Sequence, residues 1–164
     1  MIRRAAAVDV DKVIKLLHEV LDIHYDIRPD LYNKNATKYS RDELLKMFEC
    51  DRLPVFVYDD GGDIKGYAFC ELKDCSGSTG LKPILSLYID DLCVDRSCRG
   101  QRIGKALFEY VKEFARSKGC YNITLCVWEG NDPARAFYDA MGMSVQKTVM
   151  ETVLTQPEDN KERS

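Results

Sequence analysis

No stretch of the chain approaches the roughly 18 uninterrupted apolar residues that a membrane-spanning helix needs. The opening Met1-Ile2-Arg3-Arg4 also lacks the apolar run of a signal peptide, so a cytoplasmic location and no membrane partner are expected. There are seven cysteines, an odd number, and no C-x-x-C pair among them, which argues against a disulfide framework or a thiolate metal site. Reduced thiols and no metal are expected. Cys70, Cys93 and Cys126 sit inside apolar runs, where a thiol behaves as a small hydrophobe rather than a nucleophile. The basic residues are scattered and the net charge is -3, so the electrostatic footprint of a nucleic-acid binder is missing. A cationic or small neutral amine fits this balance better. There is no internal repeat and no linker.

What is present suits one domain. With 164 residues, 45% of them apolar and 31% charged, the chain can bury its own core. Val10, Val13, Ile14, Leu17, Val20 and Leu21 keep the spacing of an amphipathic helix, with Asp9 as its N-cap. Ser40 and Glu43 form a capping box ahead of a second helix whose buried side is Leu44, Leu45 and Phe48. Residues 23–39, between them, have no clean period and are predicted to be a loop. Two β-rich runs, 53–58 and 64–72, flank the turn chemistry of residues 59–63 and predict a hairpin. In the next strand the apolar set is Leu85, Leu87, Ile89, then Leu92 and Val94. Parity switches at Asp90-Asp91, which predicts a β-bulge and a splayed strand.

Ile103, Ala106, Leu107, Tyr110, Val111 and Phe114 make one face of a strong helix that stops at Gly119. A strand at 123–127 follows, so strand, glycine loop, helix and strand form a β-α-β crossover with parallel strands. A short helix over 132–140 with Pro133 in its first turn, then Gly142 and a last strand at 143–154, complete an α+β domain spanning 1–154. The polar residues 155–164 are expected to be a disordered tail.

The segment Arg99-Gly100-Gln101-Arg102-Ile103-Gly104-Lys105-Ala106 joins the bulged strand to the strong helix. Consecutive backbone amides and the positive helix end there make a cradle for an anion such as a pyrophosphate. Two other nucleotide motifs are excluded: no G-x-G-x-x-G occurs, and Gly104-Lys105 is followed by alanine where a P-loop needs a hydroxyl.

The order Ile89-Asp90-Asp91-Leu92-Cys93-Val94-Asp95, then 99–106, then Asn131 through Tyr138 and Gly142, resembles the GCN5-related N-acetyltransferase (GNAT) superfamily. Its signature Q/R-x-x-G-x-G/A is filled by Arg99, Gly100, Gln101, Arg102, Ile103 and Gly104, with Arg102 standing where the first glycine is expected. The resemblance implies a mixed, mostly antiparallel sheet with a central parallel crossover and flanking helices. It also implies acetyl-CoA as acyl donor, with the backbone of Leu92, Cys93 and Val94 pairing with the pantetheine arm. The cradle of Arg99 and Gly100 through Lys105 would take the pyrophosphate, and Asn131 would contact the cofactor arm. Asn131 is also placed to cap the helix that follows it.

The same resemblance assigns Tyr138 the proton that the departing thiolate takes up. A phenol of pKa about 10 can protonate a thiolate of conjugate pKa about 8.5 while staying un-ionised at neutral pH. Tyr138 also shares a helical face with Ala134 and Phe137, so a core role stays open. In related ribosomal-protein N-terminal acetyltransferases a glutamate stands at the position of Cys126, so that base is absent. Asp91 and Glu71, with Asp90 beside them, remain as candidate bases near the splay. His24, in the loop with Tyr25, Arg28 and Tyr32, is expected to line an acceptor pocket, whereas His18 reads as structural. The implied activity is direct transfer of acetyl from acetyl-CoA to a primary amine of a small molecule, or of a protein or peptide. A catalytically silent acyl-CoA-binding regulatory module is the rival reading, and a homodimer is compatible with either.

Overall fold

Alternating burial in two hairpin strands builds the centre of the molecule. In the computed structural model, which describes residues 1–74, 77, 79–80 and 82–154, β2 (Val55–Asp60) and β3 (Asp63–Asp74) pair antiparallel. Gly61 and Gly62 both take positive φ at the turn, a conformation that glycine reaches without strain. Val55, Val57, Tyr67 and Phe69 point to one face, where Val13, Leu16 and Leu17 of α1 (Val10–Ile27) and Leu44 of α2 (Arg41–Glu49) cover them. Phe56, Ala68 and Cys70 point to the other face, against Phe108, Val111 and Ala115 of α3 (Ile103–Ser117). Both faces of the hairpin are therefore buried, which anchors everything attached to it.

Among the described residues the sheet has five strands in chain order. β1 (Ile2–Arg4) pairs with β2, β4 (Leu85–Val94) lies antiparallel to β3, and β5 (Asn122–Leu125) is parallel to β4. The expected parallel crossover through α3 is present. Gly66 lets β3 approach β4 and α3 closely: a Cβ there would lie 2.7 Å from the Cys93 carbonyl oxygen and 3.1 Å from Leu107 Cδ1. α4 (Asp132–Ala140) has the predicted bounds, with Pro133 in its first turn, and the Asn131 side chain accepts from the Ala134 amide. The Ser40 and Glu43 capping box also forms.

Five expectations need correction or completion. α1 runs on to Ile27, so residues 23–27 are helical rather than part of the predicted loop, and His18 on it is exposed. Asp9 precedes α1, but its carboxylate does not cap a helix amide. It accepts from Arg3 at 2.6 and 2.9 Å and from the Ala6 amide, and Arg3 also binds Asp59, which ties the chain start to β2. β1 has no counterpart in the sequence reading. β5 ends at Leu125, two residues short of the expected bound. The predicted last strand over 143–154 is absent: those residues form no ladder and are almost all exposed, because no neighbouring strand offers them hydrogen bonds. The expected tail 155–164, and Cys75, lie outside the described residues. No described helix is long and apolar enough to cross a membrane.

Candidate active site

The bulge expected from the parity switch is where the site begins. Phe69 faces Asp91 and Cys70 faces Ile89, so Asp90 is the extra residue on β4. On the other side, β4 and β5 stay paired only through Ile89 and Leu125. Beyond that pair the two strands separate, and a cavity of about 740 Å³ opens between Asp90 to Val94 on one side and Cys126 to Trp128 on the other. Strand backbone that the bulge has freed lines this opening.

One end of the cavity is the cradle. Arg99, Gly100, Arg102, Ile103, Gly104 and Lys105 line it, as do Leu92, Cys93, Val94 and Asn131; Gln101 does not. The amides of residues 100–105 have no acceptor among the described residues, whereas Ala106 already bonds back to the Arg102 carbonyl at 3.0 Å. That leaves a row of free donors at the positive end of α3. The departure from the family signature is resolved by backbone geometry. Arg102 takes φ 64° and ψ 12°, the left-handed conformation that a glycine would supply, and Gly100 also has positive φ. Gly104 keeps the helix start close to its neighbours, since a Cβ there would touch Phe137 and Val94 at 3.5 Å.

Asp91 and Tyr138 reach the same cavity from opposite faces of the sheet. The Tyr67 hydroxyl donates to the Asp91 carboxylate at 2.9 Å. Burial outweighs that bond and the nearby Lys38 charge, and raises the Asp91 pKa to about 6. Tyr138 packs its ring against Phe108 and Phe137, with centroids 6.2 and 5.1 Å away. Burial, with the Asp91 charge second, raises its phenol above the ordinary value, so it stays protonated at neutral pH. Tyr138 thus fills part of the core and also faces the cavity, so the two roles coexist.

Asp90 is tied up differently. Its carboxylate accepts from the Tyr39 hydroxyl at 2.7 Å and from Lys38 Nζ at 2.8 Å. Glu71 does not line the cavity: it sits opposite Tyr88 in the ladder and pairs with Lys73 at 3.3 Å. His24 does line it, 5.2 Å from the Tyr32 ring, and burial followed by the Lys38 charge lowers its pKa. Trp128 lines it too, donating its indole N–H to the Tyr32 hydroxyl at 3.1 Å, and Arg28 lies 5.3 Å over its ring.

Cys93 is buried with its thiol against the Leu16 carbonyl, and burial raises its pKa, as it does for Cys70. Cys126 is exposed. Among the described residues no cluster of three or more His, Cys, Asp or Glu side chains is arranged to hold a metal ion.

Sequence reading missed Tyr67, Tyr39 and Lys38. Tyr67 alternates with Phe69 along β3 and therefore reads as a core aromatic. Only the pairing of β3 with β4 shows that its hydroxyl meets a carboxylate.

The model of the Acetyltransferase (GNAT) family matches residues 17–143. A glucosamine 6-phosphate N-acetyltransferase of Trypanosoma brucei brucei is 36% identical over 63 residues, which are 38% of this chain and 41% of that protein. A thialysine N-epsilon-acetyltransferase of Bos taurus is 37% identical over 57 residues, 35% of this chain and 34% of that protein. The chain thus matches about two-fifths or less of the length of these curated relatives. The crystal structure of a mutant BH1408 protein from Bacillus halodurans superposes with a TM-score of 0.90 at 29% identity, covering 94% of this chain and 99% of that one. Since the family match takes in the bulge of β4, the cradle ahead of α3 and Tyr138 on α4, the chain belongs to the acetyltransferase (GNAT) family.

Proposed function

We propose that the protein is an acetyl-CoA-dependent N-acetyltransferase acting on the primary amine of a small molecule. The observation that carries this reading is the convergence on one cavity of Gly100 and residues 102–105, whose amides are free, with Asp91 and Tyr138. The amides and the positive end of α3 suit the pyrophosphate of the donor, and the freed edge of Leu92, Cys93 and Val94 suits its amide-bearing arm. Arg99 and Lys105 add positive charge at the mouth, and Asn131 serves both as helix cap and as a contact for the arm.

In the reaction the amine nitrogen attacks the thioester carbonyl carbon, an N–C bond forms and the C–S bond breaks. Asp91 takes the proton that the amine sheds. A carboxylate of pKa about 6 is mostly ionised at neutral pH, and is a better base than an exposed aspartate. Tyr138 gives its proton to the departing thiolate. Burial that keeps the phenol protonated also makes a thiolate in the same cavity harder to leave bare, so the proton is both available and needed. Glu71, turned to Lys73, takes no part in this scheme.

The acceptor enters on the side of His24, Tyr32, Lys38 and Trp128. Support for a small acceptor comes from the relatives, whose names specify a sugar phosphate amine and a lysine analogue. The test is thiol release from acetyl-CoA across a panel of hexosamine phosphates, lysine analogues, polyamines and aminoglycosides. Turnover with one class supports the reading. Tight acetyl-CoA binding with no release for any amine would instead favour the regulatory module.

A further inference from the structure

Side chains from both faces of the sheet line the main cavity, and the two sets differ in chemistry. On the α3 face lie the cradle, with Arg99, Arg102 and Lys105, and Tyr138, whose ring packs on Phe108. On the α1 face lies Asp91, bonded to Tyr67 in the core that α1 covers. Ile23 and His24 of α1, with Tyr32 and Lys38 from the segment that follows it, line the cavity on that same side.

Rings make up the wall there. The His24 and Tyr32 ring centroids are 5.2 Å apart, and Tyr32 meets Trp128 edge to face at 6.0 Å. The Trp128 indole N–H is satisfied by the Tyr32 hydroxyl at 3.1 Å, so the wall presents ring surface rather than an unpaired indole donor. Burial, followed by the Lys38 charge, lowers the His24 pKa and keeps that imidazole uncharged at neutral pH. A wall of this kind favours another ring, stacked or edge-on.

The charges beside the wall are already paired. Lys38 Nζ donates to Asp90 at 2.8 Å, and Arg28, over the Trp128 ring, is held by Asp30 and Glu151, each at 2.7 Å. A phosphate on the acceptor would have to break one of these pairs to reach a cation on this side among the described residues. A polyamine would find one carboxylate, Asp91, because Lys38 neutralises Asp90. One positive charge on an otherwise uncharged ring matches what remains.

Given the transferase reading above, we propose that the acceptor is a primary amine carried by an uncharged aromatic ring, with the ring against His24, Tyr32 and Trp128 and the amine at Asp91. This sets the chain apart from the relative named for a sugar phosphate amine.

Trp128 is the only tryptophan of the chain, so tryptophan emission reports on this wall alone. The full chain, saturated with CoA, is titrated with 2-phenylethylamine, whose ring does not absorb where tryptophan is excited, and separately with glucosamine 6-phosphate and spermidine. A saturable change in emission is expected for 2-phenylethylamine at concentrations about tenfold or more below those the other two need. Tyr32→Leu removes one ring and should weaken 2-phenylethylamine about tenfold with CoA affinity unchanged. Thiol release from acetyl-CoA should rank the three amines in the same order of kcat/KM. Emission that 2-phenylethylamine leaves unmoved would overturn the proposal. So would tighter binding and faster turnover of glucosamine 6-phosphate or spermidine, which would leave the chain an acetyltransferase for another amine. Saturable binding of 2-phenylethylamine without thiol release from any amine would uphold the aromatic site and remove the transferase reading instead.

Discussion

The Tyr67 hydroxyl donates a 2.9 Å hydrogen bond to the carboxylate of Asp91, across the β3 and β4 ladder at the point where the bulge turns β4. Burial raises the Asp91 pKa to about 6 and this bond pulls it back down. Two consequences follow. The acetyl transfer rate should rise with pH through about 6 as Asp91 loses its proton. Tyr67→Phe removes a group that favours the charged form, so the rising limb should move to higher pH. A pH profile of kcat/KM for both proteins reads this, and an unmoved limb would remove Asp91 from the base role.

The same shift bears on stability. The folded pKa lies above the ordinary aspartate value of 3.8, so the folded state holds this proton more tightly than the unfolded chain does. Its contribution is fully present below about 3.8 and is lost as pH rises through about 6. Asp91→Asn should therefore be more stable than the parent above that range, while losing most of its activity. Urea denaturation at pH 5 and pH 8 checks the sign.

Tyr138→Phe keeps the ring that packs on Phe108 and Phe137 and removes only the hydroxyl. If the phenol protonates the thiolate, kcat should fall by about 10²–10⁴ while acetyl-CoA affinity and the melting temperature stay near the parent values. Steady-state kinetics beside a melting curve separate the two roles. A rate within about twofold of the parent would assign the proton to another donor, such as water.

The cradle is read through its backbone. Gly104→Pro deletes one of the free amides and forces Ile103 away from helical geometry, so calorimetry should show loss of CoA binding. Arg102→Gly should behave in the opposite way. It relieves a left-handed arginine and should leave the fold as stable or up to about 1 kcal/mol more stable, with CoA affinity retained if amides rather than the guanidinium hold the pyrophosphate.

Gly66→Ala should cost about 1–3 kcal/mol, because the new methyl meets the carbonyl oxygen of Cys93, which is backbone and cannot swing aside. The midpoint of denaturant unfolding measures it. Full stability in this variant would mean that β3 and β4 separate more easily than their ladder implies.

Neither Cys93 nor Cys126 should carry the acetyl group. Cys93 is buried with a raised thiol pKa, and a direct transfer needs no acyl-enzyme. The alanine variants should keep most activity, and intact-protein mass spectrometry during turnover should show no acetylated enzyme. An adduct that disappears in either variant would replace direct transfer with a two-step route.

By itself the sequence determined what depends on neighbours along the chain. Ser40 and Glu43 satisfy each other's amides within one turn, Asn131 and Pro133 start α4 where they stand, and the parity change at Asp90-Asp91 forces a bulge whatever pairs with it. The cradle was legible for the same reason, since a glycine turn ahead of a strong amphipathic helix leaves free amides through local geometry alone. Tertiary structure decided everything that depends on which surfaces meet. It continued α1 to Ile27, where Ile27 packs near Gly130, and it turned Asp9 from a cap into a partner for Arg3. It put Asp91 into the cavity beside Tyr67 while leaving Glu71 to Lys73 outside it. It also left 143–154, strand-like in composition, without a strand. Periodicity states only that a segment is able to pair, and hydrogen bonds across a sheet form only where another edge is within reach.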